Sequence, residues 1–393
     1  MKDVVVPLAI TLAVQAITSM AMIAPSVMAP VAAAELGVSP QGIGWFVALE
    51  YLFAMLSGLA CGALINRFGP VRVCQISVCV AAAGLAAGTG AMLPAVFAAA
   101  GLIGSGYGLV NPVSSHMLAS AAPPRMMSLI FSIKQTGVPL GGALAGALVP
   151  PLVLALSWRW SAVAAALLCL AVALLTQPAR AAEAAAQRGA GTGTVPAFFA
   201  PLGMVLANRP VLELAIVSMI FGSAQLALIA YFVSYLNLEL GYGLVVAGLI
   251  YSSAHAAGVA GRIAWGAVTD RWLSPRVMLG LLGVMMALSG MGVAGFSAEW
   301  PLPAVILVSA LFGASAVGWN GVYLAEVARL APPGQVGAIT GGTQFFTFIG
   351  ALAAPPLFGF VVGLAGSYGK AYLAFCLLPA LAGLRLLLSA RRA

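Results

Sequence analysis

The sequence predicts an all-α integral membrane protein of twelve transmembrane helices, arranged as two six-helix lobes related by an internal repeat. Three observations predict it. Hydrophobic residues make up 62% of the 393-residue chain and charged residues 7%, with a mean hydropathy of +1.08, a balance that no water-soluble domain of this size tolerates. Apolar stretches recur from end to end, each with the roughly 20 residues needed to cross a hydrocarbon core about 30 Å thick. They are continuous instead of alternating at every second residue, which indicates helices and not barrel strands. The third observation is that landmarks of the first half return in the second.

Taken in order, the predicted spans cover residues 4–32, 42–65, 72–92, 95–119, 128–152, 159–177, 210–236, 244–268, 277–296, 302–327, 336–364 and 370–389. The first is too long for the apolar core of a cleaved signal peptide, although Ala32-Ala33-Ala34 mimics a cleavage site. Connections are short except for 178–209, which is rich in Ala and Gly and reads as a cytoplasmic linker. It separates an N-terminal lobe, 1–177, from a C-terminal lobe, 210–393.

The formal net charge of +8 does not mark a nucleic-acid binder, because the basic residues are scattered singly through short loops. Their placement follows topology. With both termini in the cytoplasm, Lys2, Arg67, Arg72, Arg125, Arg180, Arg188, Arg209, Arg271, Arg276, Arg329, Arg391 and Arg392 fall at cytoplasmic ends, and only Arg159 and Lys370 fall outside. The five cysteines lie within apolar segments without metal-ligand spacing, so neither a disulfide framework nor a metal centre is expected, and no cofactor.

The repeat is explicit. Glu35-Leu36-Gly37, Gly62, Arg67 and Arg72 recur 204 residues later as Glu239-Leu240-Gly241, Gly266, Arg271 and Arg276. Gly104, Asn111, Pro123-Pro124 and Gln135 recur 209 residues later as Gly313, Asn320, Pro332-Pro333 and Gln344. Six spans followed by six in the same sense is the layout of two-lobed secondary transporters.

One residue demands a functional account. Lys134 stands inside the fifth span, in Ser132-Ile133-Lys134-Gln135-Thr136-Gly137-Val138-Pro139, and a charge deep in a spanning helix costs about 2.5–3.5 kcal/mol. Such residues face a polar cavity, snorkel to an interface or pair with carbonyls. Arg262 is the second, eight residues before Asp270 and hence about 12 Å from that end of its span at 1.5 Å per residue. Lys134 lies nine residues after Arg125, entering from the same side, so the two cations sit at similar depths. Small residues flank each: Gly137, Gly141 and Ala145 follow Lys134, while Ala254, Gly258 and Gly266 run at intervals of four with Arg262, which suits close helix contact on those faces.

The loop Gly62-Ala63-Leu64-Ile65-Asn66-Arg67-Phe68-Gly69-Pro70-Val71-Arg72, its echo from Gly266 through Asp270 and Arg271 to Arg276, and the six-plus-six layout together resemble the major facilitator superfamily over the whole chain. The resemblance implies gating roles for Arg67, Arg72, Asp270, Arg271 and Arg276, with Gly62 and Gly266 admitting close helix contact and the arginines binding carboxylates or helix carbonyls in one state of the cycle. Asn66 replaces the acidic residue of the pattern, which implies a weaker N-terminal latch. Spans one, four, seven and ten line the cavity in that superfamily, so the resemblance implies a substrate-binding set of Asn111, His116, Gln225, Tyr231, Trp319, Asn320 and Tyr323, with Gln15, Ser19 and Ser115 nearby and Gln344 from span eleven. Asn111 and Asn320 have a structural alternative, supporting broken helix near Pro112 and Gly321.

Spans five and eight face one another in that superfamily, which would bring Lys134 and Arg262 to one anionic ligand. Arg262 also resembles, by position, the substrate-binding arginine of monocarboxylate porters and oxalate:formate antiporters, although the latter carry their lysine in span eleven, where this chain has Thr343. Arg262 suits a two-pronged grip on a carboxylate, and Lys134 a point charge. Proton coupling falls to Glu50, the deepest acid, or to His255, with His116 as a further candidate.

The function expected is alternating-access transport of a small organic anion such as a monocarboxylate across the cell inner membrane, by proton symport or exchange, by a monomer that binds neither nucleic acid nor metal. The alternative is a proton-coupled drug or metabolite efflux antiporter of the same fold. It is disfavoured because Ala100 stands where efflux members carry an arginine in span four, and because span five reads Gly137-Val138-Pro139-Leu140-Gly141-Gly142. An enzyme is not expected: two histidines in different halves and no paired acids on one helix do not assemble a catalytic group.

Overall fold

The structure is a computed structural model, and it describes residues 2–90, 92–121, 127–180, 200–332 and 335–390. Most of the predicted linker, together with Arg125, Arg188, Pro333, Arg391 and Arg392, lies outside them. The chain is all-α, with no strand among the described residues. Twelve stretches are long and apolar enough to cross a membrane, from Val4–Leu36 to Tyr368–Ala390, and each coincides with a predicted span to within a few residues at its ends. The first runs furthest past its predicted end, to Leu36, because Glu35 and Leu36 continue the helix up to Gly37, whose φ of 65° ends it.

The helices are α1 Lys2–Leu36, α2 Ile43–Phe68, α3 Pro70–Gly88, α4 Leu93–Ala121, α5 Met127–Gln135, α6 Gly137–Ala155, α7 Trp158–Leu175, α8 Ala200–Ala207, α9 Arg209–Ser234, α10 Leu244–Arg271, α11 Pro275–Ala294, α12 Leu302–Ala316, α13 Asn320–Leu330, α14 Val336–Ala365 and α15 Tyr368–Ala390. They form two compact units. The first contains residues 1–37 and 49–196, and the second contains 38–48 and 197–393, so α2 begins in the second unit and continues in the first.

Two spans are interrupted, one of them span ten, close to Gly321, where broken helix had been the structural alternative for Asn320. Span five breaks at Thr136 because Pro139 has no N–H for the carbonyl of Gln135. Span ten breaks over residues 317–319, between α12 and α13. Span four, by contrast, remains helical through Pro112, so no break lies beside Asn111.

The repeated Glu-Leu-Gly motif does one structural job twice. The Glu35 carboxylate pairs with Arg159 and accepts a hydrogen bond from Trp158 Nε1 at 2.5 Å, at the start of α7. Glu239 accepts from the Tyr368 and Gly369 backbone N–H groups and from Ser367 Oγ, at the start of α15. Each acid therefore meets the positive end of the last helix in its unit, while Gly37 and Gly241, at φ 65° and 74°, turn the chain after it.

Close packing is built within each unit. In the first, Gly137 and Gly141 of α6 pack on Gln15, Ala16 and Ser19 of α1, and Gly104 and Gly108 of α4 meet the backbone of Glu50 and Ala54 in α2. In the second, Ala254, Gly258 and Gly261 of α10 pack on Gly313, Ala314 and Val317. The stripe after Lys134 is thus filled by span one, and the stripe around Arg262 by span ten. Gly62 and Gly266 depart from expectation: a Cβ at either would meet nothing within 4 Å. Crossing helices touch over a limited length and then diverge, and the contacts here lie one or more turns nearer the centre of each span.

This locates the packing constraint. Gly104→Ala places a methyl group against the Glu50 carbonyl, and overpacking of this kind costs about 1–3 kcal/mol. The expected result is a lower melting temperature for Gly104→Ala in detergent, with Gly62→Ala unchanged from the parent.

Candidate functional site

In the first unit the structure brings together two residues of the predicted site. Lys134, in the last turn of α5, is 1% exposed, and its ammonium donates to Asn111 Oδ1 of α4 at 2.5 Å. A neutral amide oxygen satisfies a buried ammonium without cancelling its charge. His116 lies on an exposed face of α4, one turn beyond. Gln15 of α1 donates to Ser19 at 3.4 Å, and its Oε1 is buried without a partner among the described residues.

Glu50 is completely buried, and neither carboxylate oxygen has a hydrogen-bond partner among the described residues. An isolated carboxylate in such surroundings is very costly, and the neutral acid far less so.

The second unit gathers the larger cluster. Span ten is broken beside Gln225, and two side chains from α10 hold the break. Arg262 donates from Nε to the Val317 carbonyl at 3.0 Å, and Trp265 donates from Nε1 to the Ala314 carbonyl at 2.8 Å. In an unbroken helix those carbonyls would receive the N–H groups of residues 321 and 318. Gly318 fits the turn because a Cβ there would fall on the Ala314 carbonyl.

The break delivers Trp319, Asn320 and Tyr323 to span seven. Trp319 is fully buried and donates from Nε1 to Gln225 Oε1 at 3.2 Å, and Asn320 donates to the same oxygen at 3.5 Å. Phe221 meets the Trp319 ring edge-on at 5.7 Å. Tyr323 is buried against that ring, near Ser218, Thr343 and Thr347.

Other predicted residues are placed differently. Tyr231 stacks on Phe358 at 4.8 Å, and its hydroxyl is shared between the carbonyls of Pro355 at 2.7 Å and Gln41 at 3.0 Å, in a seat lined by Gly44 and Gly359. That hydroxyl serves backbone in this state, where the sequence had suggested a ligand. Gln344 is half-buried and makes no side-chain hydrogen bond to the cluster among the described residues. His255 shares a 3.0 Å hydrogen bond with Tyr251, and its Nδ1 is buried without a partner among the described residues.

The loop arginines work inside their own units. Arg276 pairs with Glu213 and bonds Ser389, with Arg385 on the other Glu213 oxygen. Arg72 donates to Gln75, which reaches the end of α7. Arg67 and Arg271 lie over the adjacent rings of Phe68 and Trp272. Asp270, the acid of the expected latch, is exposed and makes no ion pair among the described residues.

Sequence reasoning missed Trp265 and Phe221. Trp265 stands one turn after Arg262 on the same face, opposite a glycine in span ten, and that pairing was the available signal. Phe221 stands one turn before Gln225, a spacing indistinguishable from ordinary core packing.

Twelve apolar spans in two six-span units, with polar groups gathered beside a broken helix, define a polytopic membrane transporter and not an enzyme. The chain belongs to the Major Facilitator Superfamily, whose model matches residues 11–355. It is 25% identical over 287 residues to the "Hexuronate transporter" of Bacillus subtilis (strain 168), covering 69% of this chain and 67% of that one. Its fold is similar to that of a bacterial homolog of the human lysosomal transporter Spinster in an inward-facing, occupied conformation, with a TM-score of 0.76 at 12% identity over 98% of this chain and 96% of that one. The fold is also similar to that of a D-xylose-proton symporter, with a TM-score of 0.72 at 16% identity over the same shares of the two chains.

The break should open when its side-chain donors are removed. Trp265→Phe leaves the Ala314 carbonyl without its donor, a loss of about 1–3 kcal/mol. Hydrogen exchange measured by mass spectrometry is expected to quicken over residues 314–321 and to stay unchanged in α15.

Proposed function

We propose that the protein is an alternating-access secondary transporter of a small organic anion, a monocarboxylate or related acid, moved by proton symport or exchange. The observation that carries this reading is Lys134: an ammonium almost fully buried in a membrane span and held by a neutral amide oxygen. Cations kept at such cost inside a span face substrate pathways and anionic groups. Arg262, 8% exposed and bonded through Nε to a neutral carbonyl, is the second anion contact. The similarity to a hexuronate transporter supports a carboxylate cargo, since a hexuronate is itself a monocarboxylate.

Glu50 is the proton carrier in this reading, because its buried oxygens have no partner among the described residues to stabilise the ionised form. Similarity to a proton symporter supports the coupling. The orientation proposed, both termini in the cytoplasm of a cell with an inner membrane, rests on the asymmetry of the loop arginines.

In proteoliposomes, Lys134→Ala and Arg262→Ala are each expected to abolish carboxylate counterflow while the protein still inserts and purifies; full counterflow in both would refute the anion contacts. For Glu50→Gln the expected outcome is retained exchange with loss of accumulation driven by a pH gradient. Equal accumulation by parent and variant would remove Glu50 from the coupling path.

A further inference from the structure

We infer that Trp319 is a positioning residue that sets the polarity of two amides, Gln225 and Asn320, so that they form a donor–acceptor pair for a hydroxyl group, and that the cargo is a hydroxylated acid and not a plain aliphatic one. The inference rests on the anion reading for the acid, but its hydroxyl half stands on the second unit alone.

An amide side chain has a donor end and an acceptor end of nearly the same shape, and its surroundings decide which faces where. For Gln225 the decision is forced. The indole N–H of Trp319 is a donor with no acceptor capacity, so the end it meets at 3.2 Å must be the Gln225 oxygen. The consequence passes on to Asn320, whose near end approaches that oxygen at 3.5 Å and must be its nitrogen. One donor therefore orients two amides.

The far ends are then determined. Gln225 turns its NH2 away from the indole, and Asn320 turns its oxygen away from Gln225. The Gln225 nitrogen and the Asn320 oxygen have no protein hydrogen bond among the described residues, and neither belongs to the buried atoms that lack a partner, so both remain reachable. An amide open to hydrocarbon is strongly disfavoured, which leaves a hydrated or ligand-filled space as the surroundings. An open donor and an open acceptor on two amides joined by one contact match hydroxyl groups, each of which accepts through its lone pairs and donates through its proton.

Trp319 is itself held in place. It is fully buried, Phe221 meets its ring edge-on, and the turn that presents it is fastened by Arg262 and Trp265. The indole therefore acts on a ligand through Gln225, without touching it.

The first unit contains a related lock of different outcome. The Lys134 ammonium, also donor-only, takes the Asn111 oxygen and leaves the Asn111 NH2 as a further donor. Donors predominate there, which suits a carboxylate. The mixed pair is confined to the second unit.

The test is counterflow by full-length protein in liposomes with two acids of equal charge, glucuronate and cyclohexanecarboxylate, the second a six-membered ring without hydroxyls. The parent is expected to favour glucuronate at least tenfold in apparent affinity. Trp319→Phe keeps the packing and removes the indole donor; it is expected to raise the KM for glucuronate about tenfold and leave that for cyclohexanecarboxylate within twofold. Gln225→Met is expected to act in the same direction. Equal affinity for the two acids in the parent, or an equal loss on both acids in Trp319→Phe, overturns the inference, the latter by marking the indole as merely structural. If neither acid moves, the anion reading has failed, and calorimetric binding of glucose against cyclohexanol decides the hydroxyl pair: selectivity for glucose that Trp319→Phe abolishes supports it, and no selectivity sinks it.

Discussion

A helix crossing hydrocarbon must satisfy its own backbone, and span ten gives up that self-sufficiency for three residues. The rest of the polar architecture of the second unit depends on how that gap is closed. Arg262 and Trp265 supply donors to the carbonyls of Val317 and Ala314 that the ladder can no longer serve. Because those donors come from α10, the break is coupled to the face of span eight that carries them, and Gly258 and Gly261 bring that face close enough for the side chains to reach. Interruption of the helix then places Trp319 and Asn320 against Gln225 in span seven.

This arrangement gives Arg262 two duties, holding backbone through Nε and, in the proposed function, contacting an anion. A guanidinium suits such division, since its five donors point along fixed and separate directions, whereas an ammonium would have to swing between partners. Lys134 donates to an amide oxygen from span four. Both cations are held by neutral acceptors in these contacts, and a neutral acceptor leaves the positive field largely intact for a ligand.

The acids are distributed on the opposite principle. Glu35, Glu213 and Glu239 sit toward the ends of spans and meet arginines, a tryptophan N–H or a helix N-terminus on another helix, while Glu326 pairs with Arg329 of its own helix. Glu50, as fully buried as Glu326, differs in having no hydrogen-bond partner among the described residues. That contrast is what the proposed function draws on in assigning the proton to Glu50.

The number and order of spans, their helical nature and the internal repeat were legible in the sequence, because hydropathy and the length needed to cross a bilayer are properties of a linear chain. The repeat even pointed to structural motifs: Glu35 and Glu239 each meet the final helix of their unit. Lys134 and Asn111 were both marked in advance, since polar groups are rare enough in spans to stand out one by one. Their contact was not, because it joins residues on different helices. The tertiary structure alone decided which helix fills each small-residue stripe, that span ten breaks while span four passes straight through Pro112, that Tyr231 serves backbone carbonyls, and which way the amide of Gln225 points. Each of these turns on which faces of separate helices meet, and on whether a donor from one reaches an acceptor on another, a matter of three-dimensional register that the order of residues along one helix does not contain.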